Sequence, residues 1–259
     1  MPTTKSTSGK SSKSLNAAIA KPAKNTASKP KEKFDAKRDL APKRVAEILK
    51  RLAASYPNAE CALHYRSAWE LLVATILSAQ CTDVRVNIVT PELFRQFPTP
   101  KAMSEASQPA LEELIRSTGF YRNKAKSILG AAKKITTEFE GKVPRTLAEL
   151  TTVPGAARKT ANVVLGVAYG LAEGVVVDTH VLRNSRRLHL TQATEPKQVE
   201  QGLMKIIPKD HWIAYSHEII HHGRQVCIAR KPKCADCTLE TICSSGDKTW
   251  SSGKTWPND

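Results

Sequence analysis

Between the two ends of the chain, apolar residues recur every three to four positions, and that period predicts helices almost throughout. In APKRVAEILKRLAA, Val45, Ile48, Leu49 and Leu52 share one face, and Pro42 stands at a first-turn position. Ser67-Ala-Trp-Glu70 has capping-box spacing and opens the apolar run WELLVATILSA. TDVRVNIVTPELFRQF continues the helical period, with Pro91 predicted to kink or restart it. QPALEELIRSTGF runs to Gly119 and NKAKSILGAAKKITTEF to Gly141, each glycine placed to end a helix. Thr146-Leu-Ala-Glu149 repeats the capping-box spacing ahead of a short helix, and VPGAARKTANVVLGVAYG, THVLRNSRRL, KQVEQGLMKII and HWIAYSHEIIHH follow. Only GVVVD is strand-like, and it is too isolated to build a sheet. The predicted class is all-α.

The ends read differently. Residues 1–38 are dominated by Lys, Ser, Ala, Thr and Pro, with too little apolar surface to offset the entropy of ordering, and are expected to be a disordered basic tail. Residues 244–259, SSGDKTWSSGKTWPND, are expected to be a second, flexible tail. The 259 residues carry a formal charge of +16, of which residues 1–39 supply +7. The remainder is therefore basic in its own right, which points to a polyanionic partner, most simply nucleic acid. No apolar run approaches the roughly 18–20 residues of a membrane helix, and LNAAIA is too short for the core of a secretory signal.

Four of the six cysteines crowd together as Cys227-x6-Cys234-x2-Cys237-x5-Cys243, a density that indicates a metal site rather than disulfides. Four thiolates hold either Zn²⁺ or an iron–sulfur cluster. Zinc ribbons present two tight Cys-x2-Cys knuckles, and only one is present here. The wide outer spacings favour a [4Fe–4S] cubane, with Zn²⁺ the open alternative. Arg230, Lys231 and Lys233 lie in the first loop, where they would balance an anionic cluster and project toward phosphates.

VPGAARKTANVV combines a short helix, a Pro-Gly turn and a small-residue helix, a helix-hairpin-helix pattern spanning about 147–168. Such a turn aims backbone N–H groups outward to accept a phosphate oxygen, recognising backbone and not sequence. Lys159 falls in the first turn of the second helix, where the helix dipole and Arg158 both disfavour added positive charge, and so favour a nucleophilic free amine. Asp178 ends GVVVD and is placed to cap the next helix as a carboxylate. If folding joins the two, they make a nucleophile with an electrostatic, proton-handling partner.

Taken together, VPGAARKTANVV, VDTH, ILSAQCTD, HGRQVC and the four-cysteine end resemble the endonuclease III family of base excision repair enzymes, over about residues 40–243. The resemblance implies a helical barrel domain at 61–173 carrying the hairpin, a discontinuous [4Fe–4S] domain at 39–60 and 174–243, and an active-site cleft between them. It implies Lys159 as the Schiff-base lysine, Asp178 as the catalytic aspartate and Cys227, Cys234, Cys237 and Cys243 as cluster ligands. Gln80 matches the glutamine that fills the gap left in the duplex, and Gly155 and Ala157 sit in the hairpin that binds the DNA backbone. Asp83 and His180 match motif positions near the pocket. Two departures stand out: Ala157 replaces the family's second hairpin glycine, and Phe120 stands where a Leu wedge is common. The implied activity is DNA N-glycosylase with AP lyase, acting as a monomer on duplex DNA with oxidised pyrimidines or abasic sites. The implied location is a bacterial cytoplasm, associated with the nucleoid; organellar or nuclear targeting by the basic tail stays open.

HEIIH, residues 217–221, matches the zinc-protease signature, with Glu240 at a plausible distance for a third ligand. It reads as coincidence, because the cysteine chemistry of residues 227–243 intervenes, and His217 and Glu218 are expected at the surface or between domains. An adenine-specific mismatch glycosylase of similar fold is the nearer rival. Lys159 argues against it, since those enzymes lack lysine there, and so does the short stretch after Cys243, where they carry a further domain. A non-catalytic DNA-binding or electron-transfer module is the rival from another class.

Overall fold

The computed structural model describes residues 33–253, and no strand occurs among them. The helices are α1 (Ala36–Asp39), α2 (Pro42–Ser55), α3 (Ala68–Leu77), α4 (Asp83–Gln96), α5 (Pro100–Ser104), α6 (Gln108–Ile115), α7 (Tyr121–Glu138), α8 (Leu147–Leu150), α9 (Arg158–Tyr169), α10 (Thr179–Arg187), α11 (Pro196–Ile206) and α12 (Trp212–Gln225). They enclose two hydrophobic cores. The first joins residues of α3 to α9 and is centred on α3, which is apolar on every side and buries Trp69, Leu71, Leu72, Val73, Ala74 and Leu77. The second packs Val45, Ile48, Leu49 and Leu52 of α2 against side chains from α10, α11 and α12, so distant parts of the chain share one core.

Local chemistry sets the boundaries. Ser67 caps α3 by accepting from the Glu70 amide at 3.2 Å. The Glu70 carboxylate completes no reciprocal box; it takes the Arg66 amide at 2.7 Å and the Arg66 guanidinium at 2.6 Å. Pro91, expected to break its helix, lies inside a continuous α4. Gly119 and Gly141 both have positive φ and follow their helices as expected.

Both ends of the described chain depart from the tails expected of them. Residues 36–39 form α1, whose Asp35 cap accepts from the Lys37 and Arg38 amides at 2.9 and 3.2 Å. Asp39 is fully buried and accepts from Arg38, from Ser244 at 3.0 Å and from the Asp35 amide at 2.9 Å, with His189 Nδ1 at 3.1 Å. Buried Arg44 lies beneath it and donates to the Leu188 and Ile242 carbonyls, each at 2.7 Å. At the other end, Asp247 pairs with Arg187 at 2.6 Å, Lys248 donates to the Glu240 carbonyl at 2.8 Å, and Ser252 donates to the Glu240 carboxylate at 2.7 Å. Polar composition signals missing apolar surface, but these side chains order the ends through hydrogen bonds instead. Residues 1–32 and 254–259 lie outside the described residues.

Burial pushes the Asp39 carboxyl up, but its hydrogen bonds outweigh that and hold it at about 2. A carboxylate depressed below its usual 3.8 adds stability that is complete above that value and is lost as pH falls through about 2. Asp39→Asn should cost about 2–3 kcal/mol at pH 7. In urea unfolding at stepped pH, the gap between the two proteins should narrow below about pH 4; a constant gap would remove the charge from the explanation.

Candidate active site and cysteine centre

A tight turn sets the start of α9. Gly155 has φ +80°, and a Cβ there would press on Ile76 and Ser127 at 3.0 Å, so only glycine fits both the backbone and the space. Ala157 caps α9 with φ −61° and ψ 164°, ordinary extended backbone, so alanine in place of a second glycine adds no strain. No side chain caps α9, and Gly155, Ala157 and Arg158 are exposed.

Lys159 is the second residue of α9 and makes no ion pair or side-chain hydrogen bond among the described residues. Arg158 was expected to crowd it with charge. Instead Arg158 is matched by Glu200 of α11 at 2.7 and 3.1 Å, and Asn162 donates to the same carboxylate at 2.8 Å. A Cβ on Gly174 would collide with this group, which explains a glycine at the head of the apolar run. Asp178 caps α10, its Oδ1 accepting from the His180 and Val181 amides, both at 2.8 Å, while Oδ2 has no partner among the described residues. Lys159 and Asp178 line one open cleft of about 1240 Å³ between the two cores. Asp83 and His180 line it too, and Arg224 of α12 reaches Asp83 across the cleft at 2.8 Å. Burial pushes the His180 imidazole down; Asp178 opposes this, and Arg183 and Arg224 add to it.

The four clustered cysteines line a second, smaller cavity. Arg187 donates to Cys227 Sγ at 3.4 Å, and His222 Nε2 lies 3.7 Å from Cys237 Sγ while its Nδ1 meets the Tyr56 hydroxyl at 3.0 Å. Of the cations expected to balance this centre, Lys233 lines the cavity, and Arg230, Lys231 and Lys233 are all exposed and unpaired among the described residues. Arg187 reaches a cysteine sulfur directly, and its place in a basic helix end gave no sign of it.

Comparison with known proteins agrees with this geometry. The description of HhH-GPD superfamily base excision DNA repair proteins matches residues 73–209, just over half of the chain. Endonuclease III of Synechocystis sp. is 56% identical over 202 residues, 78% of this chain and 92% of that protein. Endonuclease III of Escherichia coli K12 is 39% identical over 78% of this chain and 95% of its own. The chain belongs to the endonuclease III family. Among solved structures, a trapped endonuclease III–DNA covalent intermediate aligns with a TM-score of 0.75 at 42% identity, over 80% of this chain and 97% of that one. A thermostable thymine-DNA glycosylase, 18% identical, shares the fold with a TM-score of 0.72.

In this family member the cysteine cavity fits a metal cluster by the chemistry of its donors. Burial pushes Cys237 up to about 12, Cys243 up to about 11 and Cys227 upward, so these thiolates need cationic compensation that iron would supply. The protease reading of HEIIH fails on position. His217 and His221 line the cleft, whereas Glu240 lines the cysteine cavity and is engaged by Lys248 and Ser252. Glu218, expected at the surface or between domains, is buried and carries a carboxyl pushed upward by that burial.

Gln80 and Phe120 are exposed and both lie in the left-handed region, at φ 52° and 48°, a strained backbone typical of functional loops. A residue that motif reading missed holds both loops. Buried Lys124 of α7 donates at 2.8 Å to the Leu77 carbonyl, ahead of Gln80, and at 2.8 Å to the Thr118 carbonyl, ahead of Phe120. Its one sequence signal is a lysine on the apolar face of α7, beside Ala125, Ile128 and Leu129. Lys124→Met fills the space but leaves two buried acceptors, and should cost about 2–3 kcal/mol in urea unfolding. It should also weaken binding of damaged duplex several-fold; unchanged binding would sever the link between this clamp and the loops.

Proposed function

We propose that this protein is a DNA N-glycosylase with associated AP lyase activity in base excision repair, removing oxidised or ring-saturated pyrimidines from duplex DNA. One observation carries the reading: an unpaired amine on α9 and a half-used carboxylate on α10 line the same cleft. The target base is stacked in a duplex, so the nucleotide must be turned out into that cleft. Gln80 would occupy the gap and Phe120 would wedge the stack, roles that their exposed, left-handed loops support. The hairpin amides around Gly155 and Ala157 would take a phosphate, with Arg230, Lys231 and Lys233 adding charge along the backbone.

Asp178 is held as an acceptor by two amides, with Oδ2 left over to stabilise positive charge developing on the sugar. The free amine of Lys159 attacks C1′, the C1′–N bond breaks, and the base leaves with the bonding pair. The amine then loses a proton as it becomes a Schiff base with the opened sugar. Loss of the C2′ proton drives β-elimination, which breaks the C3′–O bond and cuts the strand 3′ to the site. Cys227, Cys234, Cys237 and Cys243 would hold a [4Fe–4S] cluster that serves structure and DNA positioning rather than base removal.

The division into 61–173 and into 39–60 with 174–243 is supported by the two separate cores. A bacterial cytoplasm accords with the bacterial relatives, and monomeric action at the nucleoid is part of the same proposal. No helix among the described residues is long and apolar enough to cross a membrane.

Borohydride trapping on a duplex with one abasic site tests the chemistry. Lys159→Gln should lose the covalent adduct while keeping its affinity for the duplex; an undiminished adduct would reassign the nucleophile. The cofactor is tested separately. Purified protein should contain iron and sulfide with visible charge-transfer absorbance, and Cys237→Ser should lose both; zinc without iron would refute the cluster.

A further inference from the structure

HEIIH is the one sequence signal that the proposed chemistry leaves unused. We infer that His217 and His221 form a polar wall of the cleft that reads the hydrogen-bonding edge of the extruded pyrimidine. The inference rests on the glycosylase reading above and names the residues that select its substrate.

Several features of the cleft carry it. The two imidazoles stand one helical turn apart on α12, and both line the space that holds Lys159 and Asp178. Glu218 lies off that face and does not line the cleft. His221 Nε2 is 3.4 Å from the Glu60 carbonyl, which can only accept, so the neutral ring places its N–H there and leaves Nδ1 as an acceptor. His217 is half-buried and has no side-chain hydrogen bond among the described residues, so both its ring nitrogens remain to be used. Burial also pushes its imidazole toward the neutral form, which offers one donor and one acceptor. The Watson–Crick edge of an oxidised thymine alternates acceptor, donor and acceptor; His221 Nδ1 can accept from the central N–H and the His217 N–H can donate to a flanking carbonyl, so the pair meets two of the three groups. Ile213 and Ile220 line the cleft beside them and supply an apolar surface for the ring.

Lys159 and Asp178 act on the sugar, so contacts to the base are separable from the lyase step. Single-turnover rates on a duplex with one thymine glycol report base removal, and the same duplex with one abasic site reports strand cleavage without a base. His217→Leu and His221→Leu should each slow base removal about tenfold, the value of one lost hydrogen bond in a closed site, and should leave abasic cleavage within about twofold. His217→Gln, which keeps a donor and an acceptor, should retain most of the rate. Equal losses on both duplexes, undiminished base removal, or a Gln variant as impaired as Leu would each overturn the inference. Should the unaltered protein fail on the abasic duplex, the glycosylase–lyase reading falls, and this inference with it; selective loss on thymine glycol bears on the histidines alone.

Discussion

The cleft depends on one buried carboxylate. Glu200 belongs to the core that contains α11, yet its oxygens are taken by Arg158 and Asn162 of α9, which belongs to the other core. Those two residues are four apart on one helical face, and Lys159 follows directly on the first of them. The start of α9 is therefore pinned from across the molecule, while the lysine between its anchors is left free. Glu200 is buried but Arg158 is exposed, so the pair contributes little net stability, because solvent screens much of the attraction. What it supplies is register between the two lobes, which Arg224 and Asp83 also join across the cleft.

Most of the helical frame was legible before any coordinates, because apolar period, capping residues and terminal glycines all pointed the same way. The buried face of α2 and the caps at Ser67 and Thr146 follow from those patterns directly. The cysteine spacing and the lysine–aspartate pair were legible as chemistry. Legibility failed where side chains act over long sequence separation. Nothing local marks Glu200, 42 residues from Arg158, or Lys124, 47 residues from the carbonyl it clamps. Arg187 looked like one more basic residue at a helix end, though it serves Cys227 forty residues away. Composition also misled at the chain ends, because it measures apolar surface and is blind to paired polar groups.

Those ends converge on one place. Asp39 near the start and Ser244 after the last cysteine bond to each other at 3.0 Å, with Arg44 beneath them donating to Ile242. Asp247 joins the network through Arg187, which also touches a clustered cysteine. The second core is small and shared between distant segments, so chain entropy would favour its fraying. Polar locks of this kind suit such a lobe because they are directional and tolerate only one arrangement. The same locks surround the cysteine cavity, where any loosening would admit water to the thiolates.

The unmatched groups are as informative as the matched ones. Arg158, Lys124, Arg187 and Arg224 all have partners in the fold, whereas Lys159 has none among the described residues and Asp178 keeps one oxygen unused. Gln80 and Phe120 hold backbone conformations that non-glycine residues avoid, at a cost of order 1–3 kcal/mol each. A sequence under selection for stability alone would relieve these positions with glycine, or pair the amine with a nearby acid. An amine and a carboxylate oxygen left without partners in one cleft suit a site that meets something external, because every partner supplied from within would compete with it. Arg230, Lys231 and Lys233 are likewise exposed and unpaired among the described residues on the cysteine side, while Arg187 reaches the Cys227 sulfur.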